Sequence, residues 1–283
     1  MDTTEEYIKR ILKVLVYIEE HIEDEITMSE LAKLSCYSPF HFHRIFQSIV
    51  GETVYQYTKR LRLERAAGKL RNTAKPVTEI ALDASYDTPS AFTKAFKLYM
   101  GTAPRNYRML HAAVHIVTNK IKESPMIQPD KIEKIVNLPL LFIRRVGSYD
   151  KTPWDAWKAM NQFVEDTHLD KLHVRRFGIG HDDPQITDED KIRYDACILQ
   201  LPGMKEKGEV GQQTLKGGKY AVFTHNGLYE RLEATWNRIL LKWLPTSCEQ
   251  LDDTRPPFCE HFHMEYYRTD SSKLITKIYI PIL

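Results

Sequence analysis

Met28-Ser-Glu-Leu-Ala-Lys-Leu-Ser-Cys-Tyr-Ser-Pro-Phe-His-Phe-His-Arg-Ile-Phe46 decides the reading of this chain, because the chain says it again. The second version is Val77-Thr-Glu-Ile-Ala-Leu-Asp-Ala-Ser-Tyr-Asp-Thr-Pro-Ser-Ala-Phe-Thr-Lys-Ala-Phe96. The offset is 49 up to Tyr37 and Tyr86, and 50 after the inserted Asp87. Gly51 then answers Gly101, and Tyr57 answers Tyr107. A repeat this short is a duplicated supersecondary unit. Each copy reads as a helix, a tight polar turn and a second helix, the layout of a helix-turn-helix.

Local signals support both copies. Thr27 and Glu30 have the spacing of a capping box ahead of the first helix. Pro39, behind Ser38, sits where proline fits the first turn of the next helix. Phe42, Ile45, Phe46 and Ile49 fall at i, i+3, i+4 and i+7 and form the expected buried stripe, and Gly51 stops the helix. Phe40, His43, Arg44 and Gln47 lie on other faces, free to reach a groove. In the second copy the stripe is Phe92, Ala95, Phe96 and Tyr99, leaving Ser90, Thr93, Lys94 and Lys97 outward before Gly101. Any one such stripe is ordinary core patterning; its repetition with the same caps and stops is what points to DNA reading. An amphipathic helix with Ile8, Ile11, Leu12, Leu15, Val16 and Ile18 precedes the pair. Val54 to Leu70, bearing Lys59, Arg60, Arg62, Arg65 and Lys69, is expected to be the helix that joins the units. At ~1.5 Å per residue it spans ~25 Å, suited to holding two recognition helices about one DNA turn apart.

Charge is segregated along the chain. Residues 1–30 carry three basic and nine acidic side chains, whereas residues 31–110 carry thirteen and five. Residues 111–283 carry twenty-four of each, so the net +2 conceals a basic block over the repeat, as phosphate contacts require. A merely solvated surface would also be rich in Lys and Arg. No stretch approaches the ~18–20 apolar residues of a membrane helix. The acidic start lacks the layout of a signal peptide, so a cytoplasmic protein with no membrane association is expected. Cys36, Cys197, Cys248 and Cys259 have no C-x-x-C spacing and are expected to be reduced core thiols.

The run Ser38-Pro-Phe-His-Phe-His-Arg-Ile-Phe46, its counterpart from Tyr86 to Phe96, and Gly101-Thr-Ala-Pro104 with Tyr107-Arg108 resemble the DNA-binding domain of the AraC/XylS family, over roughly residues 5–110. The resemblance implies two helix-turn-helix units that insert recognition helices into adjacent major-groove segments of double-stranded DNA. By position it assigns groove contacts to Phe40, His43 and Arg44, and to Ser90, Ala91 and Lys94. Arg44 can pair bidentately with guanine. The small residues at Pro89-Ser90-Ala91 suggest weaker base reading by the second helix, with Lys94 and Lys97 mainly on phosphate. RNA polymerase is the further partner expected of such a regulator.

Past a polar stretch, taken as a linker over 113–127, the composition changes: all four tryptophans and most glycines lie beyond residue 130. Strand-like runs fall at Lys131–Val136, Leu140–Val146, Tyr194–Gln200, Tyr220–Thr224, Phe262–Tyr267 and Thr276–Ile280, with helices near Pro153–Thr167 and Leu228–Trp243. A second duplication is visible. Val146-Gly147-Ser-Tyr149 precedes the helix with Trp157, and Asn226-Gly227-Leu-Tyr229 precedes the helix with Trp236. Tyr194-Asp195-Ala-Cys-Ile198 is matched with Met264-Glu265-Tyr266-Tyr267. The expected architecture is therefore multidomain: an all-α double helix-turn-helix domain over 1–112, then a duplicated strand–helix–strand α+β domain over 128–283.

Gly147-x-Tyr149, Phe177-Gly-Ile-Gly-His-Asp-Asp-Pro184, Tyr194-Asp195, Glu265-x-Tyr267 and Tyr279-Ile-Pro281 make this half similar to the GyrI-like ligand-binding domain. The resemblance implies a cleft for a hydrophobic or cationic small molecule, with an acidic residue on a late strand. The expected effector-binding residues are Tyr149, Trp157, Tyr229, Trp236, Glu265 and Tyr267. On an alternating strand His261, His263, Glu265 and Tyr267 share a face. A carboxylate among aromatics is either a solvated group or a receptor for a cation; the aromatics could equally be core filler. His261-x-His263 lacks further metal ligands apart from Glu265, and no cofactor or nucleotide fingerprint occurs, so neither metal nor cofactor is expected. A ligand-responsive transcription regulator is the leading expectation. A hydrolase using Glu265 with Tyr149 or Tyr229, or a sequestering binder, is the alternative.

Overall fold

A computed structural model describes residues 3–118, 126–169, 174–264, 267 and 269–283. The chain divides into two compact units, Met1–Ala113 with Glu206–Gly211, and Val114–Lys205 with Gln212–Leu283. Among the described residues no helix is long and apolar enough to cross a membrane.

The first unit is helical: α1 (Thr3–Glu20), α2 (Met28–Leu34), α3 (Pro39–Val50), α4 (Val54–Asn72), α5 (Val77–Asp83), α6 (Pro89–Met100) and α7 (Pro104–Thr118). Thr27 and Glu30 cap α2 reciprocally, Ser38 accepts from the His41 amide, and Thr53 with Gln56 repeats the capping box at α4. α3 and α6 stop at Gly51 and Gly101, with φ of 79° and 75°, where a side chain would be strained. The turns between the paired helices also repeat a left-handed residue, Cys36 at φ 57° and Ser85 at φ 59°. Each copy is pinned by the same chain of rings: Phe42 on Phe46 on Tyr57, and Phe92 on Phe96 on Tyr107.

Two expectations need correction here. The stripes are narrower than the periodicity implied: Ile49 and Tyr99 are exposed and Ile45 is only half-buried, while Val50, at the end of α3, packs against the core as Ile45 does. α1 buries Ile11, Val14, Leu15 and Ile18, whereas Ile8 and Val16 sit at its margin. The cysteines divide as well. Cys197 and Cys259 are buried, but Cys36 and Cys248 are exposed, Cys36 because it occupies the turn.

The second unit is one eight-stranded antiparallel sheet, built from β1 (Lys131–Ile135), β2 (Leu138–Val146), β3 (Arg176–Gly180), β4 (Arg193–Leu199), β5 (Gly211–Leu215), β6 (Gly218–Asn226), β7 (Phe258–Phe262) and β8 (Ile275–Pro281). The order is β1-β6-β8-β7-β3-β4-β2-β5. It reads the same from either end once β1 is matched with β5, β2 with β6, β3 with β7 and β4 with β8. The duplication is thus real, with each half lending its first strand to the other. α8 (Thr152–Asp166) follows β2; α9 (Leu232–Arg238) follows β6 and continues as a π-helical turn over Ile239–Trp243.

The registers correct one equivalence. Arg145 faces Tyr194, and its counterpart His225 faces Thr276, so the strand equivalent to β4 in the other half is β8 and not the segment from Met264. Of the strand expected over Phe262–Tyr267, Phe262 alone is in a strand among the described residues, and Glu265 and Tyr266 fall outside them. β7 ends at Phe262, which pairs with Ile275, and His263 turns left-handed at φ 59°. β3 and β5 were not anticipated.

Candidate nucleic-acid interface and ligand cleft

The two helices expected to read DNA, α3 and α6, carry matching surfaces. From residue 38 to 58 and from 88 to 108 the sequence of buried, half-buried and exposed positions is the same. On α3, Phe40, Arg44 and Gln47 are exposed and His43 is half-buried; on α6, Ser90, Ala91, Lys94 and Lys97 are exposed. Phe40 is 68% exposed with the Arg44 guanidinium 5.8 Å from its ring centroid, so an apolar face and a cation stand together at the start of α3. α6 offers hydroxyl, methyl and lysine groups at the corresponding places.

The basic side chains of α4 behave differently. Arg60 is buried and forked onto Glu52, while its other arm reaches Glu64 at 3.2 Å. Glu64 also accepts the Tyr99 hydroxyl at 2.8 Å, which ties the end of α6 to α4. Lys69 is buried between Glu23 and Asp83 at 2.9 and 2.7 Å, and Arg62 donates to the carbonyls of Ile22 and Asp24. These cations bind helices to one another. Much of the basic block is therefore internal, and the outward charge is concentrated on Lys33, Arg44, Lys75, Lys94, Lys97 and Arg105.

In the second unit the alternation of β3 sends Phe177 and Ile179 to one face and Gly178 and Gly180 to the other. The glycine face is the one that α8 and α9 cover. Above it stand Trp157 from α8, Tyr194 from β4 and His261 from β7. Trp157 Nε1 donates to Tyr194 Oη at 2.9 Å. The His261 ring meets Trp157 at 5.6 Å and Tyr229 at 5.3 Å, both nearly perpendicular. Tyr229 stacks on Tyr267 at 5.6 Å, and Trp154 touches both. The Tyr267 hydroxyl donates to Glu230. A Cβ on Gly178 would lie 2.3 Å from Tyr194 Oη and 2.8 Å from His261 Nε2, and one on Gly180 would lie 2.8 Å from Tyr149 Oη. Both glycines are required by this close approach.

Of the effector residues anticipated from sequence, Trp157, Tyr229 and Tyr267 come together here. Tyr149 is at the margin, 6.3 Å from the Tyr194 ring, its hydroxyl donating to the Asp182 carbonyl and accepting from the Asp182 amide. Trp236 packs over Cys259 into the core that also holds Phe223 and Trp243. Glu265 falls outside the described residues. Trp154, Tyr194, His261 and the two glycines were not selected from sequence as ligand contacts.

The opposite face of the sheet holds a charged network. Asp195 is fully buried; Arg144 forks onto it at 2.7 and 2.9 Å, with His181 at 2.7 Å and Gln213 at 3.0 Å. Although burial alone would raise the Asp195 pKa, Arg144 and His181 hold it well below the usual carboxylate range.

Comparison with known proteins agrees with both units. A family model described as a GyrI-like small molecule binding domain matches residues 131–283, and one described as a helix-turn-helix domain matches residues 31–109. The Right origin-binding protein of Escherichia coli (strain K12) is 33% identical over 228 residues, 77% of this chain and 78% of that protein. The transcriptional regulator Rob of Salmonella typhimurium is 24% identical over 226 residues, with the same coverage. The HTH-type transcriptional activator AarP of Providencia stuartii is 35% identical over 99 residues, 35% of this chain and 73% of that protein. This chain belongs to the AraC-type DNA-binding transcription regulators that carry a GyrI-like small-molecule-binding domain.

Proposed function

We propose that this regulator reads two successive major-groove segments with α3 and α6, and that a hydrophobic effector in the aromatic cleft modulates it. The observation that carries the reading is the repeated exposure pattern of the two helices, which leaves Phe40, His43, Arg44 and Gln47 on one and Ser90, Ala91, Lys94 and Lys97 on the other for DNA. Arg44 beside Phe40 suits a guanine next to a thymine methyl; Lys94 and Lys97 suit phosphates. Tyr149, Trp157, Tyr229 and Tyr267 frame the effector, with Trp236 as support for that wall. RNA polymerase is a proposed partner on the strength of the relatives' names as transcription regulators. A hydrolytic role through Tyr149 finds less support, since its proton is already committed to the Asp182 carbonyl.

Binding of the full chain to duplex DNA over a salt series tests the first half of this reading. The affinity should fall steeply with salt, and protection should cover about two helical turns on one face with a single protomer bound. Indifference to salt, or protection of one groove segment only, would exclude it.

A further inference from the structure

His261 is a buried polar group with an unmet need. The residue is 9% exposed, and its Nε2 has no hydrogen-bond partner among the described residues. On the other edge of the ring, Nδ1 lies 3.4 Å from the Oγ1 of Thr276, which is fully buried. Two proton arrangements are open. If Thr276 donates to Nδ1, only the Nε2 hydrogen is left unmet. If Nδ1–H donates instead, both the threonine proton and the Nε2 lone pair go unmet. Buried groups avoid that outcome, so the hydrogen is assigned to Nε2.

Tyr194 is in a similar condition. Its oxygen already accepts from Trp157 Nε1, and its own proton has no acceptor among the described residues. Burial pushes its pKa well up, so the hydroxyl keeps that proton. Tyr194 Oη and His261 Nε2 converge over the same bare position of β3, Gly178. The Arg176 guanidinium, 5.9 Å from the Trp157 ring, adds positive charge on this face. Two donors and a cation beside aromatic rings are matched by an acceptor, not by a cation.

We propose that the cleft takes a planar aromatic ligand presenting a carbonyl or carboxylate oxygen to the Nε2–H of His261 and the Oη–H of Tyr194. This rests on the effector reading of the cleft and supplies the chemistry of the effector. The aromatic rings provide contact area, and the two donors set orientation and selectivity.

The test is fluorescence titration of the full chain, whose Trp154 and Trp157 report on the cleft. Four probes share one ring system: acetylnaphthalene, naphthoate, the hydrocarbon isostere isopropenylnaphthalene, and naphthyltrimethylammonium. The ketone and the carboxylate should bind about tenfold tighter than the hydrocarbon. His261→Phe should abolish that preference while leaving the melting temperature unchanged or raised, because an unmet polar group is replaced by an apolar one. Tyr194→Phe should reduce the preference in the same direction, and it carries the test if the first variant folds poorly. Binding of all four probes without preference, or tightest binding of the trimethylammonium probe, removes this inference alone. Binding of none of them by the unmodified chain removes the cleft reading and this inference together.

Discussion

Replacing Arg60 by methionine should separate what α4 does for the fold from what α3 and α6 do for DNA. The Arg60 side chain is 8% exposed and faces two carboxylates, Glu52 and Glu64, themselves 15% and 6% exposed. Methionine fills much of the space but leaves both carboxylates without their cation. Breaking a buried pair in this way costs about 3–5 kcal/mol. For a helical unit of this size each kcal/mol shifts the midpoint by about 5 °C, so melting should fall by about 15–25 °C. A second change, Glu64→Gln, should recover part of the loss, since one stranded charge is then gone. Circular dichroism melts of the full chain give the stability, and filter binding over a salt series gives the slope of log K against log salt. That slope should be unaltered by Arg60→Met below its melting range, whereas Lys94→Ala or Lys97→Ala should each lower it by about one phosphate contact. A reduced slope with an unchanged melting temperature would show Arg60 facing DNA and refute the reasoning.

Arg44→Ala should weaken binding to a specific site more than to random duplex, while Lys94→Ala weakens both about equally; competition shifts with the two DNAs distinguish them. Asp195→Asn should destabilise the second unit by about 3–5 kcal/mol, because the buried Arg144 keeps its charge without its partner; a melting temperature within a degree or two of the parent would contradict this. Burial, reinforced by Arg176, lowers the His261 pKa from 6.5 to about 4. The unfolded chain therefore takes up this proton first as pH falls, so the contribution of neutral His261 is complete above about pH 7 and is lost between about 6.5 and 4. The loss amounts to about 3 kcal/mol. Urea titrations over that range should show the decline in the parent and not in His261→Phe.

The helical unit was legible because its signals are local. Caps at Thr27 and Ser38, glycine stops at positions 51 and 101, and a 3.6-residue period all lie within a few residues of the structure they specify. What failed there was non-local. Nothing near Arg60 or Lys69 in sequence says that Glu52, Glu23 and Asp83 will turn these cations inward. β3 escaped notice because Gly178 and Gly180 occupy one face, and glycine is depleted in ordinary strands. The strand reading past Phe262 rests on composition, and the left-handed backbone at His263 that follows β7 has no signal of its own in the sequence. His261 stood out only as a possible metal ligand. Its rings and its threonine come from α8, the turn after β6, and β8, and only the folded sheet brings them together.

The exchange of first strands between the halves of the sheet bears on how the polypeptide is made. Lys131 in β1 must wait for Val222 in β6, and β6 must wait for Ile275–Pro281 in β8, about 50 residues further on. Neither half can close its hydrogen bonds by itself, so the sheet should fold as one late, slow, all-or-none event with high contact order. The helical unit, whose contacts are mostly close in sequence, can fold while the ribosome is still translating β-strands. Every nascent chain thus passes through an interval in which the helix-turn-helix unit is formed and the small-molecule-binding sheet is not. A message cut short within the sheet would leave that interval permanent, with open strand edges exposed to aggregation.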